Sequence, residues 1–158
     1  MNRKGGEAVG LTKRGKGSGK GSRIMALVDA NGMPIGVRVC TAGNHEVTQA
    51  EDTVLACWTR DLPERTIADR AFDSDPLDKS LAQYGVEVIA PHRRNRKKQN
   101  KTQDGRKLRR YKRRWKVERF FAWLGHFRRL LIRHERRVAN YEAFVHLATL
   151  VILVRNCY

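Results

Sequence analysis

Cysteine is sparse in this chain. Cys40, Cys57 and Cys157 are the three among 158 residues, and they form neither a CxxC pair nor a Cys/His metal spacing. That excludes a disulfide framework and a zinc ribbon, and suits reduced thiols in a cytoplasm. Proline occurs four times and aromatics make up 8%. No apolar run approaches the roughly 20 residues that span a bilayer. The longest, Phe144 to Val154, is interrupted by His146 and Thr149. The N-terminus is charged and glycine-rich, without the apolar core of a secretory signal. A soluble chain with no membrane partner is expected.

Acid is the other shortage. Sixteen Asp and Glu stand against 33 Lys and Arg, leaving a formal charge of +17. Such a surplus opposes compaction and calls for a polyanionic partner, nucleic acid first. The excess is confined to two blocks. Residues 1–23 carry seven basic side chains and one acid, and residues 92–137 carry twenty and three. Between them, residues 24–91 carry five basic and eleven acidic. Basic flanks around an acidic centre suit a protein that grips phosphates while keeping carboxylates for metal or catalysis.

Residues 1–22 hold almost nothing to bury and read as a basic, flexible arm preceding one domain over 23–158. The stretch Gly10-Leu11-Thr12-Lys13-Arg14-Gly15-Lys16-Gly17 is close to a phosphate-binding loop. It lacks the hydroxyl residue after the lysine and does not join a strand to a helix. Lys13, Arg14 and Lys16 therefore read as DNA contacts.

Ile24–Val28 and Ile35–Cys40 are strand-like runs around Asp29-Ala30-Asn31-Gly32, a hairpin signal. A helix over Glu46–Trp58 follows, with Asn44 as its cap. A third strand, Arg65–Asp69, ends on a carboxylate. Asp75 and Pro76 open another helix that Gly85 closes, and Val86–Ala90 is a fourth strand. Residues 92–106 read as a basic loop without a core. A long helical pattern then runs from Lys107, with Leu108, Tyr111 and Trp115 on one stripe and Val117, Phe120, Phe121 and Leu124 on another; Gly125 interrupts it. A last helix, Asn140–Asn156, is apolar on most faces and is expected to be buried. The order predicts an α/β domain with a mixed sheet.

Two acids stand out. Asp69 lies at the C-terminal end of a buried-looking strand, where open α/β sheets place ligands. Glu118 is the sole acid between Lys107 and Arg133. Glu118 alone would read as a salt-bridge partner, and Asp73 and Asp75 as turn and cap residues. Yet Tyr111, Arg114 and Glu118 are spaced three and then four apart, so they share a helical face. Arg114 suits a phosphate, with Tyr111 beside it. A carboxylate inside so basic a face repels phosphate unless a divalent ion bridges them, as in two-metal phosphoryl transfer.

On these residues the chain resembles the DDE-type insertion-sequence transposases whose last acid sits in a Tyr-x2-Arg-x3-Glu-x6-Lys signature. The likeness extends to Val28–Pro34, Gly43–Glu46 and Ala68–Asp73. It implies a ribonuclease-H-like fold, Mg²⁺-dependent cleavage and joining of DNA strands, two Mg²⁺ ions with Mn²⁺ as a substitute, and double-stranded transposon-end and target DNA as partner. It also implies a homo-oligomer on that DNA, in the bacterial cytoplasm at the nucleoid. Asp69 matches the second acid, Glu118 the third, and both would be metal ligands; Tyr111 and Arg114 match the supporting positions.

The chain departs from the pattern twice. Gly125 stands at the signature lysine, leaving Arg128 or Arg129 to contact DNA instead. The family's first acid lies on a strand before the basic arm, so the chain is expected to lack that strand and aspartate, to be inactive alone, and to need an upstream-frame polypeptide. Asp29, in the hairpin turn, is rejected as a replacement. A non-catalytic, DNA-binding regulator of the element is the competing reading.

Overall fold

Alternation of apolar and polar residues builds the hairpin. Strands β1 (Gly10–Arg14), β2 (Gly17–Val28) and β3 (Pro34–Thr41) form an antiparallel sheet in that order, with Ile24 opposite Val39 and Ala26 opposite Val37. The computed structural model describes residues 6–14, 17–97, 99, 101 and 104–157, and the side chains of 12–18 and 157 lie outside that description. The hairpin turn is not the primed type that Asn-Gly suggests. That type needs positive φ at both central residues, whereas only Gly32 is positive here, at 85°. Asp29 closes the turn instead: its Oδ1 accepts the Asn31 and Met33 N–H groups, each at 2.8 Å.

The segment read as a flexible arm is paired from Gly10 onward, with Gly10 opposite Gly21 and Arg14 opposite Gly17. Backbone pairing needs no apolar side chains, which is why the pattern missed it. Glu7 pins the start of this segment. Its N–H donates to the Arg136 carbonyl at 3.0 Å, and its Oε2 accepts the Val138 N–H at 3.0 Å.

Helix α1 covers Val47–Leu55, shorter than expected, and Asn44 does not cap it. The Asn44 carbonyl instead accepts from Arg23 at 2.7 Å, and the chain leaves the helix so that the Trp58 N–H meets the Ile35 carbonyl at 2.7 Å. Strand β4 (Arg65–Ile67) is parallel to β5 (Glu87–Ile89), as a helical crossover requires. Between them α2 (Asp75–Gln83) starts one residue earlier than expected, with Ser74 at the cap position. Gly85, at φ 75°, ends it as a Schellman turn: the Val86 N–H reaches the Leu81 carbonyl and the Gly85 N–H the Ala82 carbonyl. The five strands do not make one mixed sheet. They form a three-stranded antiparallel sheet and a separate parallel pair.

The long basic helical pattern is broken into α3 (Gly105–Leu108), a 3₁₀ stretch Arg109–Arg114, and α4 (Trp115–Gly125). Helices α5 (Arg128–Leu131) and α6 (Val138–Cys157) complete the chain. By length and composition α6 could cross a membrane. Its inner face, however, packs on β3, and the Glu142 carboxylate accepts the Val39 N–H at 3.0 Å. The expectation of burial on most faces fails: Leu147, Leu150 and Val154 are each more than half exposed. Their outer positions meet no neighbouring element.

Two apolar clusters result. In the first, Val37 and Val39 of β3 meet Phe120 and Leu124 of α4, Leu130 of α5, and Tyr141, Val145, Ala148 and Ile152 of α6. In the second, Ala50 and Val54 of α1 meet Leu77 and Leu81 of α2 and Val86. An open cleft of about 590 Å³ touches elements of both.

Candidate catalytic and DNA-contacting site

Asp69 follows β4 by two residues and lines the cleft. It caps the 3₁₀ turn Arg70–Phe72, its Oδ1 accepting the Ala71 N–H at 2.7 Å, and this fixes the direction of the carboxylate. Arg114 lines the same cleft from the start of α4. Its Nη1 donates to the Tyr111 hydroxyl at 2.9 Å, and its Nη2 pairs with Glu118 Oε1 at 3.1 Å. The three-then-four spacing thus brings Tyr111, Arg114 and Glu118 into contact. The Tyr111 hydroxyl, and behind it the negative charges of Glu118 and Asp69, raise the Arg114 pKa above its ordinary value. One guanidinium therefore feels both candidate acids.

The donor chemistry at this mouth is that of hard oxygen ligands, which suits Mg²⁺ or Mn²⁺. The donor count falls short. Among the described residues no three Asp, Glu, His or Cys side chains gather to hold a metal ion. Asp29 lines the cleft too, but its Oδ1 is engaged by the turn.

The other basic candidates part company. Lys13, Arg14 and Lys16 fall outside the described side chains. Arg129 is committed to Glu135 at 2.6 Å and lies over the Phe144 ring, while Arg128 is exposed. Neither lines the cleft. Two cations of α4 that look free in the sequence are structural. Lys116 donates to the Ala30 carbonyl and Arg119 to the Asn31 carbonyl, and Arg119 also stacks between the Trp115 and Trp123 rings. They tie the hairpin turn to α4 beside the acids.

Asp73, read as a turn residue, does more. Its side chain is 4% exposed and accepts from His92 Nδ1 at 2.8 Å, from the Arg93 N–H at 2.7 Å and from Arg96 Nη1 at 2.7 Å. Burial pushes its carboxyl up, but the Arg93 N–H, His92 and Arg96 outweigh burial and hold it below the ordinary aspartate value. Arg96 also pairs with Asp75. The start of the segment read as an uncored basic loop is therefore anchored behind Asp69. The signal was present: His92 and Arg96 leave a strand directly after a cluster of three acids.

An aspartate at a strand end, a glutamate on a helix and an arginine between them define a phosphate-handling site on an α/β frame. The Transposase DDE domain family matches residues 4–153, and the chain belongs to that family. It is 35% identical over 140 residues to a Burkholderia cepacia protein assigned as a transposase for insertion sequence element IS402, covering 84% of this chain and 62% of that protein. It is 28% identical over 134 residues to a Brucella ovis protein assigned as a transposase for insertion sequence element IS6501, covering 85% of this chain and 98% of the relative. The chain thus spans less than two thirds of the Burkholderia protein. No solved structure matches it.

Proposed function

We propose that the chain is the catalytic segment of an insertion-sequence transposase, acting on double-stranded DNA at the element's ends by strand cleavage and joining. The observation that carries this is the coupling of Arg114 to both Glu118 and Asp69 at one cleft mouth. In this reading the frame is ribonuclease-H-like, the DNA is held by a homo-oligomer, and the work is done at the bacterial nucleoid. Asp69 and Glu118 would hold the divalent ions, which when bound polarise the phosphate and its attacking oxygen. With two acids present, no chemical step is assigned to those ions here. Arg114 and Tyr111 would position a backbone phosphate, Arg114 exchanging part of its pairing with Glu118 for the phosphate oxygens.

The shortage of a third acid favours a second reading, in which the chain binds element DNA without cutting it. The two separate in one experiment. Duplex oligonucleotides carrying insertion-sequence ends are offered, with Mg²⁺, to the chain bearing a tethered upstream strand with one aspartate. Cleavage that Asp69→Asn and Glu118→Gln each abolish, with gel-shift binding retained, supports the transposase. Cleavage indifferent to both changes overturns these assignments, and binding with no cleavage in any form leaves the regulator.

A further inference from the structure

The separation of the strands into two sheets leaves two open edges. β1 covers β2 only at Gly17–Gly21, so from Ser22 to Val28 β2 has β3 on one side and no strand on the other. β4 has β5 on one side only. Both open edges border the same cleft. Every residue from Arg23 to Ala30 and from Arg65 to Asp69 lines it, whichever way its side chain alternates. A strand shows all its residues in succession to a space only when seen edge-on. An edge of unpaired N–H and C=O groups is a template for another strand. The Thr66 hydroxyl, on the cleft wall in β4, is shut from water and has no hydrogen-bond partner.

The walls describe the occupant. On one side are Ala50, Val54, Leu77 and Leu81 of the second cluster; on the other, Val117 and Phe121 of α4. A strand covered on both faces is apolar at successive positions, not alternate ones. The open edge from Ile24 to Val28 accommodates about five residues, roughly 16 Å of strand. The mouth is flanked by Arg113, Arg114 and Lys116, so one carboxylate at the end of such a strand would meet opposite charge.

We infer that the cleft between β2 and β4 is a docking slot for one extended, apolar polypeptide strand ending in a carboxylate, carried on sequence outside these 158 residues, which joins the two sheets into one. The strand rests on the open edges and the apolar walls; its carboxylate rests also on the transposase reading, where it would be the missing acid.

The test uses the whole chain, without DNA, and a synthetic peptide, Lys-Ser-Ile-Val-Val-Ile-Asp-Ser-Lys. Hydrogen exchange followed by mass spectrometry should show new amide protection at Ile24–Val28 and Arg65–Ile67. Replacing the second valine of the peptide by proline removes a ladder donor and should weaken binding by roughly tenfold or more. Protection confined to other segments, no binding, or equal binding of the proline peptide would overturn the inference. Protection that rises with protein concentration and no peptide would also overturn it, assigning the slot to a second copy. Because no cleavage is read, failure of the transposase reading would not disturb the result.

Discussion

Arg114 and Glu118 pair at 3.1 Å one helical turn apart, so the residue suited to phosphate is held by an acid suited to metal. The acid both restrains the arginine and repels DNA. Glu118→Gln should therefore bind duplex DNA as tightly as the parent or tighter while losing cleavage, whereas Arg114→Ala should weaken binding. Filter binding at several salt concentrations reads both. A Glu118→Gln chain that binds several-fold more weakly would contradict the placement of Glu118 beside the phosphate path.

The same titration tests the charge argument. With 20 basic side chains between His92 and Arg137, affinity should fall steeply with salt, log K dropping by about 0.9 per log unit for each phosphate neutralised. Removing Arg114 should lower that slope by about 1. Lys116→Ala should behave differently, because Lys116 is spent on the Ala30 carbonyl. Its loss should loosen the hairpin turn with less effect on the slope; an equal effect would mean that Lys116 faces DNA.

Asp73 should be the strongest point of acid sensitivity. Its carboxyl is held below the ordinary value by the Arg93 N–H, His92 and Arg96 against the pull of burial. A depressed folded pKa contributes stability in full above the unfolded value, about 3.9. That stability is lost as pH falls through the lower folded value. Asp73→Asn should cost about 3 kcal/mol at neutral pH, since it leaves the cations facing a neutral amide in a nearly closed site. It should also flatten stability against pH below about 4. Urea unfolding across pH measures both, and an unchanged acid profile would exclude Asp73 as the source.

The hairpin was legible because Ile24–Val28 and Ile35–Cys40 alternate around a turn rich in Asp, Asn and Gly, and such pairing is local. The β1–β2 ladder was not, since Gly17–Gly21 pairs through its backbone and offers no side-chain pattern. Helix α4 illustrates a second limit. Val117, Phe120, Phe121 and Leu124 read as one stripe, yet Phe120 and Leu124 enter the core while Val117 and Phe121 face the cleft. Period alone gives an apolar arc, and tertiary neighbours decide how it divides. The same holds for α6, whose composition could not say that Leu147, Leu150 and Val154 would find no neighbour. Asp69 and Glu118 were legible because an acid at a strand end and a lone acid among cations both need explaining. The role of Asp73 lay in contacts with His92 and Arg96, which depend on β5 folding beside β4.

Gly32 offers a test of how the turn positions α4. At φ 85° a Cβ would be strained, and it would lie 2.5 Å from Arg119 Nη2, the group that donates to the Asn31 carbonyl. Gly32→Ala should therefore cost about 1–2 kcal/mol and detach Arg119 from the turn. Tryptophan fluorescence should report it, because Arg119 lies 5.1 Å from the Trp115 ring and 4.9 Å from the Trp123 ring. An unchanged spectrum with unchanged stability would mean the turn does not depend on this contact.

Metal binding can be tested without waiting for a cleavable substrate. Asp69 and Glu118 are in reach of one guanidinium, so an ion held by either should lie close to both chain segments. Fe²⁺ can stand in for Mg²⁺ at hard oxygen sites, and with ascorbate and peroxide it cuts nearby backbone. Cuts should cluster around Ala68–Arg70 and Val117–Arg119, fade as Mg²⁺ or Mn²⁺ is added, and vanish on chelation. Two carboxylates beside a cation make a weak site, because a divalent ion takes six or more oxygens and needs its charge offset. The cuts should therefore be faint in the chain alone. Adding the Asp-bearing strand peptide should strengthen them, and the same peptide with Asn in place of Asp should not. Asp69→Asn should erase the cuts at both segments together, since one ion serves both. Cuts that survive at Val117–Arg119 would place the ion on Glu118 alone and remove Asp69 from the site.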